Sequence, residues 1–246
     1  MALLVFAGCA DLLALSDTLS DLTDPLVVQA TYIGVEAPPA GVSLDGTSWQ
    51  DGSRAQAFLA DAGGLDDLAN APIEDATVAM ELDGEAVSMP SDAPGQFVAT
   101  GAEGLGWGAD VDATLVIERD GEHVLSLTTP AAPDVSIPIK QSRGSGVDID
   151  LSGQPFDNVI VNVIRVEDGS TVFDSMPTDI GGLYRLTHSA GELTTEVPGE
   201  TFDKPGVYLI GVMGLVNADP DTYDGVNLAL SALTAGAMTF TAVTVQ

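Results

Sequence analysis

Basic side chains are scarce in this chain: 7 Lys and Arg stand against 37 Asp and Glu in 246 residues, a formal net charge of −30. A field of that sign repels phosphate backbones, which excludes nucleic acid as a partner. It also repels itself unless salt screens it over a Debye length of about 8 Å, so the composition predicts a protein of saline surroundings. Cysteine is nearly missing. With Cys9 alone, no intramolecular disulfide can form and packing must hold the fold unaided. Histidine is limited to His123 and His188, a thin supply for proton transfer at neutral pH. No Gly-x-Ser-x-Gly elbow surrounds His188 and Ser189, and there is no His-Glu-x-x-His, Cys-x-x-Cys or phosphate-loop pattern. Hydrolytic, zinc and nucleotide chemistry therefore lack a template, and no residue is assigned as catalytic. Apolar residues make up 45% of the chain, yet no run approaches the roughly 18 consecutive apolar residues of a membrane-spanning helix.

What is present begins at the amino end. Residues 2–7 are apolar throughout, and small Gly8 precedes Cys9, the arrangement a secretory cleavage site requires. Phe6-Ala7-Gly8-Cys9 resembles the lipobox of bacterial lipoproteins. That resemblance implies removal of residues 1–8, lipid attachment at Cys9 and contact with a membrane through that residue. Phe6 stands where the family usually has Leu, and no Lys or Arg precedes it, which a true start upstream of Met1 would explain. The alternative is a single helix over residues 1–22 in which Cys9 packs as a small apolar residue. Ala10 rather than Asp follows Cys9, so the resemblance implies the outer membrane, facing the periplasm or the cell surface. Leu12, Leu15, Leu19 and Leu22 are spaced three and four apart and Pro25 follows, which predicts a short helical spacer over residues 9–25.

From Leu26 the period changes to that of strands. Runs over residues 26–35, 53–60, 76–82, 96–100, 113–118 and 123–128 are rich in β-branched and aromatic residues. Asp83-Gly84 and Asp120-Gly121 mark hairpins. Gly95-Gln96-Phe97 resembles the Gly-x-aromatic step of transthyretin-like and carboxypeptidase-regulatory-like modules, which implies a sandwich with Phe97 packed inside. Pro130, Pro133 and Pro138 favour extended backbone and suggest a linker, with a boundary near residue 133. Beyond it, strands are expected over residues 135–139, 147–151, 158–166, 171–173, 183–186, 207–213 and 237–245. Val159, Val161 and Val163 should share one face, with Asn162 on the other. Pro205-Gly206-Val207-Tyr208 resembles the penultimate strand of an immunoglobulin-like domain, which implies a corner hydrogen bond from the tyrosine. The expected fold is all-β: two antiparallel β-sandwich domains, residues 26–132 and the Ig-like 133–246, behind a short N-terminal helix.

Two binding constellations stand out. Asn217, Asp219, Asp221, Asp224 and Asn227 place oxygens along one loop, and calcium takes about six to eight such ligands. Thr222 and Leu228 depart from the EF-hand pattern, and a solvated turn would use the same residues. Trp49 and Trp107 sit in Gly- and Asp-rich loops, where they would form a ligand rim or plug a sandwich end. The reading is a non-enzymatic, lipid-anchored module with a structural or binding role toward a protein or glycan. The alternative is a carbohydrate- or calcium-binding adhesion module.

Overall fold

A computed structural model describes residues 26–36, 39–40, 52–61, 72–178 and 180–246. Cys9, the leucine stripe and Trp49 lie outside them.

The described chain is mostly β. In the first half, β1 (Leu26–Val35) and β2 (Arg54–Asp61) pair antiparallel, and β5 (Ser91–Ala93) and β6 (Gln96–Thr100) continue the sheet beyond β2. A separate four-stranded sheet is formed by β3 (Thr77–Leu82), β4 (Glu85–Ser88), β7 (Asp112–Glu118) and β8 (Glu122–Thr128), in the order β4-β3-β7-β8. Its hairpins turn at the expected Asp-Gly pairs. Asp83 and Gly84 adopt φ of 49° and 82°, and Asp120 adopts 54°, the positive values that Asp and Gly tolerate best.

The second half contributes β9 (Lys140–Gln141), β10 (Val147–Asp150), β11 (Asn158–Arg165), β12 (Ser170–Asp174), β13 (Thr194–Val197), β14 (Gly206–Asn217) and β15 (Ala232–Val245). The large sheet runs β12-β11-β14-β15-β1-β2-β6-β5. It crosses the expected boundary without a break. β15 pairs with β14 along its length, lies parallel to β1 over residues 232–238 and takes β9, also parallel, at Thr244 and Val245. One sheet thus runs through both expected sandwich regions, with one parallel pair, β1 and β15, inside it. The sequence signal for this was weak because β15 opens with Ala232-Leu-Thr-Ala-Gly-Ala237, residues of modest strand preference. Pairing on both sides overrides that preference. At Gly236 a Cβ would lie 2.6 Å from Leu215 Cδ2, so glycine keeps the close approach open.

Two cores lie on the same face of this sheet. In the first, Val28, Ala30 and Tyr32 of β1, with Leu59 and Phe97, meet Met80, Leu115, Ile117 and Leu125 of the four-stranded sheet. Phe97 is 2% exposed, packed inside as expected. In the second, Val159, Val161 and Val163 of β11 join Ile210, Val212 and Val243 beneath Val147, Ile149 and Val197 of the small β10-β13 sheet. The opposite face carries Ile160, Leu209, Met213 and Met238, against which Leu186 packs.

Two expected strands form otherwise. Residues 183–186 belong to the helix α1 (Ile180–His188), the only α-helix among the described residues. The cause is tertiary. Asn158 Nδ2 donates to the carbonyls of Leu186 and Ser189, both at 2.9 Å, and Asn217 Nδ2 donates to Leu186 O at 3.1 Å, capping carbonyls that a helix end leaves open. Residues 135–139 join no ladder. Pro138 has no N–H to give, while Val135 and Ile137 pack on the second core and the Gln154 amide holds the Asp134 backbone through bonds of 3.0 and 2.8 Å.

Candidate functional site

The loop over residues 217–227 follows β14 and returns toward β15, and its oxygens are largely engaged within the protein. Asn217 Oδ1 accepts from Thr234 Oγ1 at 2.8 Å, and its amide caps α1. Asp219 Oδ1 accepts from Asp221 N at 3.0 Å, starting a 3-10 turn at Pro220–Thr222. Asn227 is 3% exposed and its Oδ1 accepts from Leu230 N at 3.1 Å. Asp219, Asp221 and Asp224 face solvent. Among the described residues, no group of three or more His, Cys, Asp and Glu side chains could share a metal ion.

The same loop is fastened to the four-stranded sheet. Asp224 exchanges backbone hydrogen bonds of 2.9 and 3.2 Å with Val124, and Thr222 Oγ1 donates to Ser126 O at 2.7 Å. This sends Ala218, Tyr223 and Val226 into the first core. Tyr223 Oη accepts from Leu233 N at 2.9 Å, and burial raises its pKa above the ordinary tyrosine value. Sequence reasoning missed this tyrosine. Its one signal was an aromatic set among turn formers.

Trp107 packs against the same core. Its ring stands 4.8 Å from that of Tyr32 and covers Gly34 of β1, where a Cβ would come within 1.7 Å of Trp107 Cδ2. The loop that presents it is held at both ends. Thr100 forms a capping box with Glu103, its hydroxyl accepting from Ala102 N at 3.2 Å and its own N–H donating to Glu103 Oε2 at 2.8 Å. The Thr100 hydroxyl, donating to Glu103 Oε2 at 2.6 Å, and then the Thr100 N–H lower the pKa of the exposed Glu103 carboxyl. Thr129 Oγ1 donates to Gly108 O at 2.6 Å and accepts from Val111 N at 3.0 Å. Tyr32 Oη donates to Gly106 O at 2.6 Å, and burial raises its pKa. Trp107 is thus half-buried against the first core.

The histidines sit on different elements. His123, in β8, has Nε2 3.0 Å from Arg119 O, and Gly225 packs so closely that a Cβ there would be 2.4 Å from His123 Nδ1. His188 ends α1, its ring stacked on Tyr184 at 4.0 Å and its Nδ1 2.8 Å from Thr187 Oγ1. Burial lowers the His188 pKa, which favours the neutral imidazole.

No family model matches the chain, and no curated protein does. Among solved structures it is similar to Tp47, the 47-kilodalton lipoprotein of Treponema pallidum, at 10% identity and a TM-score of 0.35, covering 89% of this chain and 52% of that one. It is also similar to SGBP-B of the Bacteroides ovatus mixed-linkage glucan utilization locus, solved with a heptasaccharide (19% identity, TM-score 0.20, 89% of this chain and 43% of that one). A third is DIP-gamma IG1+IG2 (11% identity, TM-score 0.23, 89% and 97%). The chain thus spans about half or less of the first two. Similarity at this level says nothing of what this chain binds.

Proposed function

We propose that the chain is a non-enzymatic, lipid-anchored module of the outer membrane, facing the periplasm or cell surface, with a structural or binding role. One observation supports the binding or structural part of this reading: among the described residues, several of the side chains singled out for chemistry are used in construction. Trp107 and Tyr223 pack against the first core, His188 is stacked against Tyr184, and Asn217 and Asn227 make internal hydrogen bonds. The anchor is argued from the apolar run and Gly8-Cys9. One acyl chain holds a protein to a bilayer only marginally, so stable attachment at Cys9 takes two or more.

Mass spectrometry of the protein from a membrane fraction tests the anchor. The expected result is loss of residues 1–8 and a lipid-sized mass on Cys9. Residues 1–8 retained with Cys9 unmodified would overturn it. Activity in a broad hydrolase screen that a His188→Gln change removes would overturn the non-enzymatic part.

A further inference from the structure

β1 is gripped on both sides. It pairs antiparallel with β2 from Leu26↔Asp61 to Ile33↔Arg54 and parallel with β15 from Gln29↔Ala232 to Val35↔Met238. Further bonds extend the second ladder at each end. Leu26 O accepts from Asn227 N at 2.8 Å, Val28 N donates to Ser231 Oγ at 3.0 Å, and Glu36 N donates to Met238 O at 2.9 Å. β15 is held in turn by β14 along its length and by β9 at Thr244 and Val245.

Parallel pairing decides how a load acts on these strands. Because β1 and β15 run the same way, Leu26 and Val245 lie at opposite ends of the sheet, about 50 Å apart along the strands at about 3.3 Å per residue. Tension between those two points runs along the strands and tries to slide each past its neighbours. The interstrand bonds run across that direction and share the load, whereas pulling two paired strands apart from one end loads the bonds singly. Burial adds to this: Val28, Tyr32, Leu233 and Ala235 are fully buried, so water does not replace their backbone bonds one at a time.

A side chain also blocks the sliding. Neighbouring strand residues face opposite sides, so a one-residue slip of β1 would turn Val28, Ala30 and Tyr32 out of the first core. A slip of two, in the direction of a pull at Leu26, would carry Glu36 to the place of Gly34. The Trp107 indole occupies that place, within 1.7 Å of where even a Cβ would stand. The loop that bears the indole is fastened by Thr129, at the end of β8, through Gly108 O and Val111 N. It is therefore tied to the four-stranded sheet and does not simply travel with β1.

We propose that β1 and β15 form a mechanical clamp, with Trp107 over Gly34 as its stop, and that the chain bears tension between the segment before Leu26 and the far end of β15. This deepens the structural role argued above. It rests on that reading for the source of the load, an attachment on the amino side of Leu26, while the clamp is a property of the folded chain alone.

Single-molecule pulling on the full, unlipidated chain makes the test in two directions. Handles at Cys9 and Gln246→Cys slide β1 along the sheet. Handles at Cys9 and Asp61→Cys, opposite Leu26, peel β1 from β2 at one end. Both new cysteines replace solvent-accessible side chains, and circular dichroism melts confirm that each variant is folded. The force at first rupture should be severalfold higher in the sliding direction. Trp107→Ala should lower the sliding force and leave the peeling force unchanged, because peeling starts at Leu26↔Asp61, away from Gly34. Equal forces in the two directions overturn the proposal, and so does a sliding force that Trp107→Ala leaves unchanged. Neither failure touches the reading of Cys9, and an unmodified Cys9 in the membrane fraction would leave the pulling result as it stands.

Discussion

Gly34 and Trp107 are fitted to each other: the indole occupies the space where any side chain on residue 34 would begin, 1.7 Å from Cδ2 to an added Cβ. Gly34 lies on the inward face of β1 two residues after Tyr32, whose ring is 4.8 Å from the indole. Gly34→Ala should therefore displace Trp107 and cost about 1–3 kcal/mol, the range for overfilling a packed site. In a Gly34→Ala/Trp107→Ala double variant the two costs should not add, because the clash is gone. Urea unfolding of the three variants checks this, and additive costs would show that the indole does not depend on the glycine.

Tyr208 is fully buried, its Oη donating to Lys204 O at 3.0 Å and its ring edge-on to Phe202 at 5.3 Å. Tyr208→Phe keeps the ring and leaves the carbonyl without its donor, so about 1–2 kcal/mol of stability should be lost. Denaturant midpoints at an unchanged slope would measure it.

His188 sets a pH dependence whose sign follows from its burial. Its folded pKa is lowered, so the unfolded chain, near the ordinary 6.5 or so, takes up the proton first as pH falls. Stability should decline as pH drops below about 6.5 and be insensitive to this group above that. Asp168, held well below the usual carboxylate range by Arg165, acts in the same direction only below about pH 4. Melting temperatures of the protein and of His188→Gln between about pH 7.5 and 5 should diverge in slope, the variant being flatter.

Salt should stabilise the fold. With −30 charges and few ion pairs among the described residues, at Arg119 and Arg165, screening relieves more repulsion than it weakens attraction. The melting temperature should rise with sodium chloride. A flat or falling trend would mean that the acidic groups do not limit stability.

Where residue type fixes backbone or face, the sequence was readable. Asp83-Gly84 and Asp120-Gly121 turned as expected because few residues tolerate positive φ. Val159, Val161 and Val163 share the second core because strand period leaves no alternative. Tyr208 made its corner bond because the turn before it brings the Lys204 carbonyl within reach. Residues 183–186 misled for a physical reason. A short apolar segment fits either period, and the choice fell to Asn158 and Asn217, from strands 25 or more residues away, which cap the helix end.

The candidate site divides in the same way. The amino acids alone determine the charge, the lack of disulfides, the β class and the sulfur available at position 9, since these are properties of composition and local order. Only the tertiary structure decided that β15 joins both halves in one sheet and that Trp107 and Tyr223 pack on the first core. Each of those depends on which distant strands share hydrogen bonds, and strand pairing leaves almost no trace in any one segment.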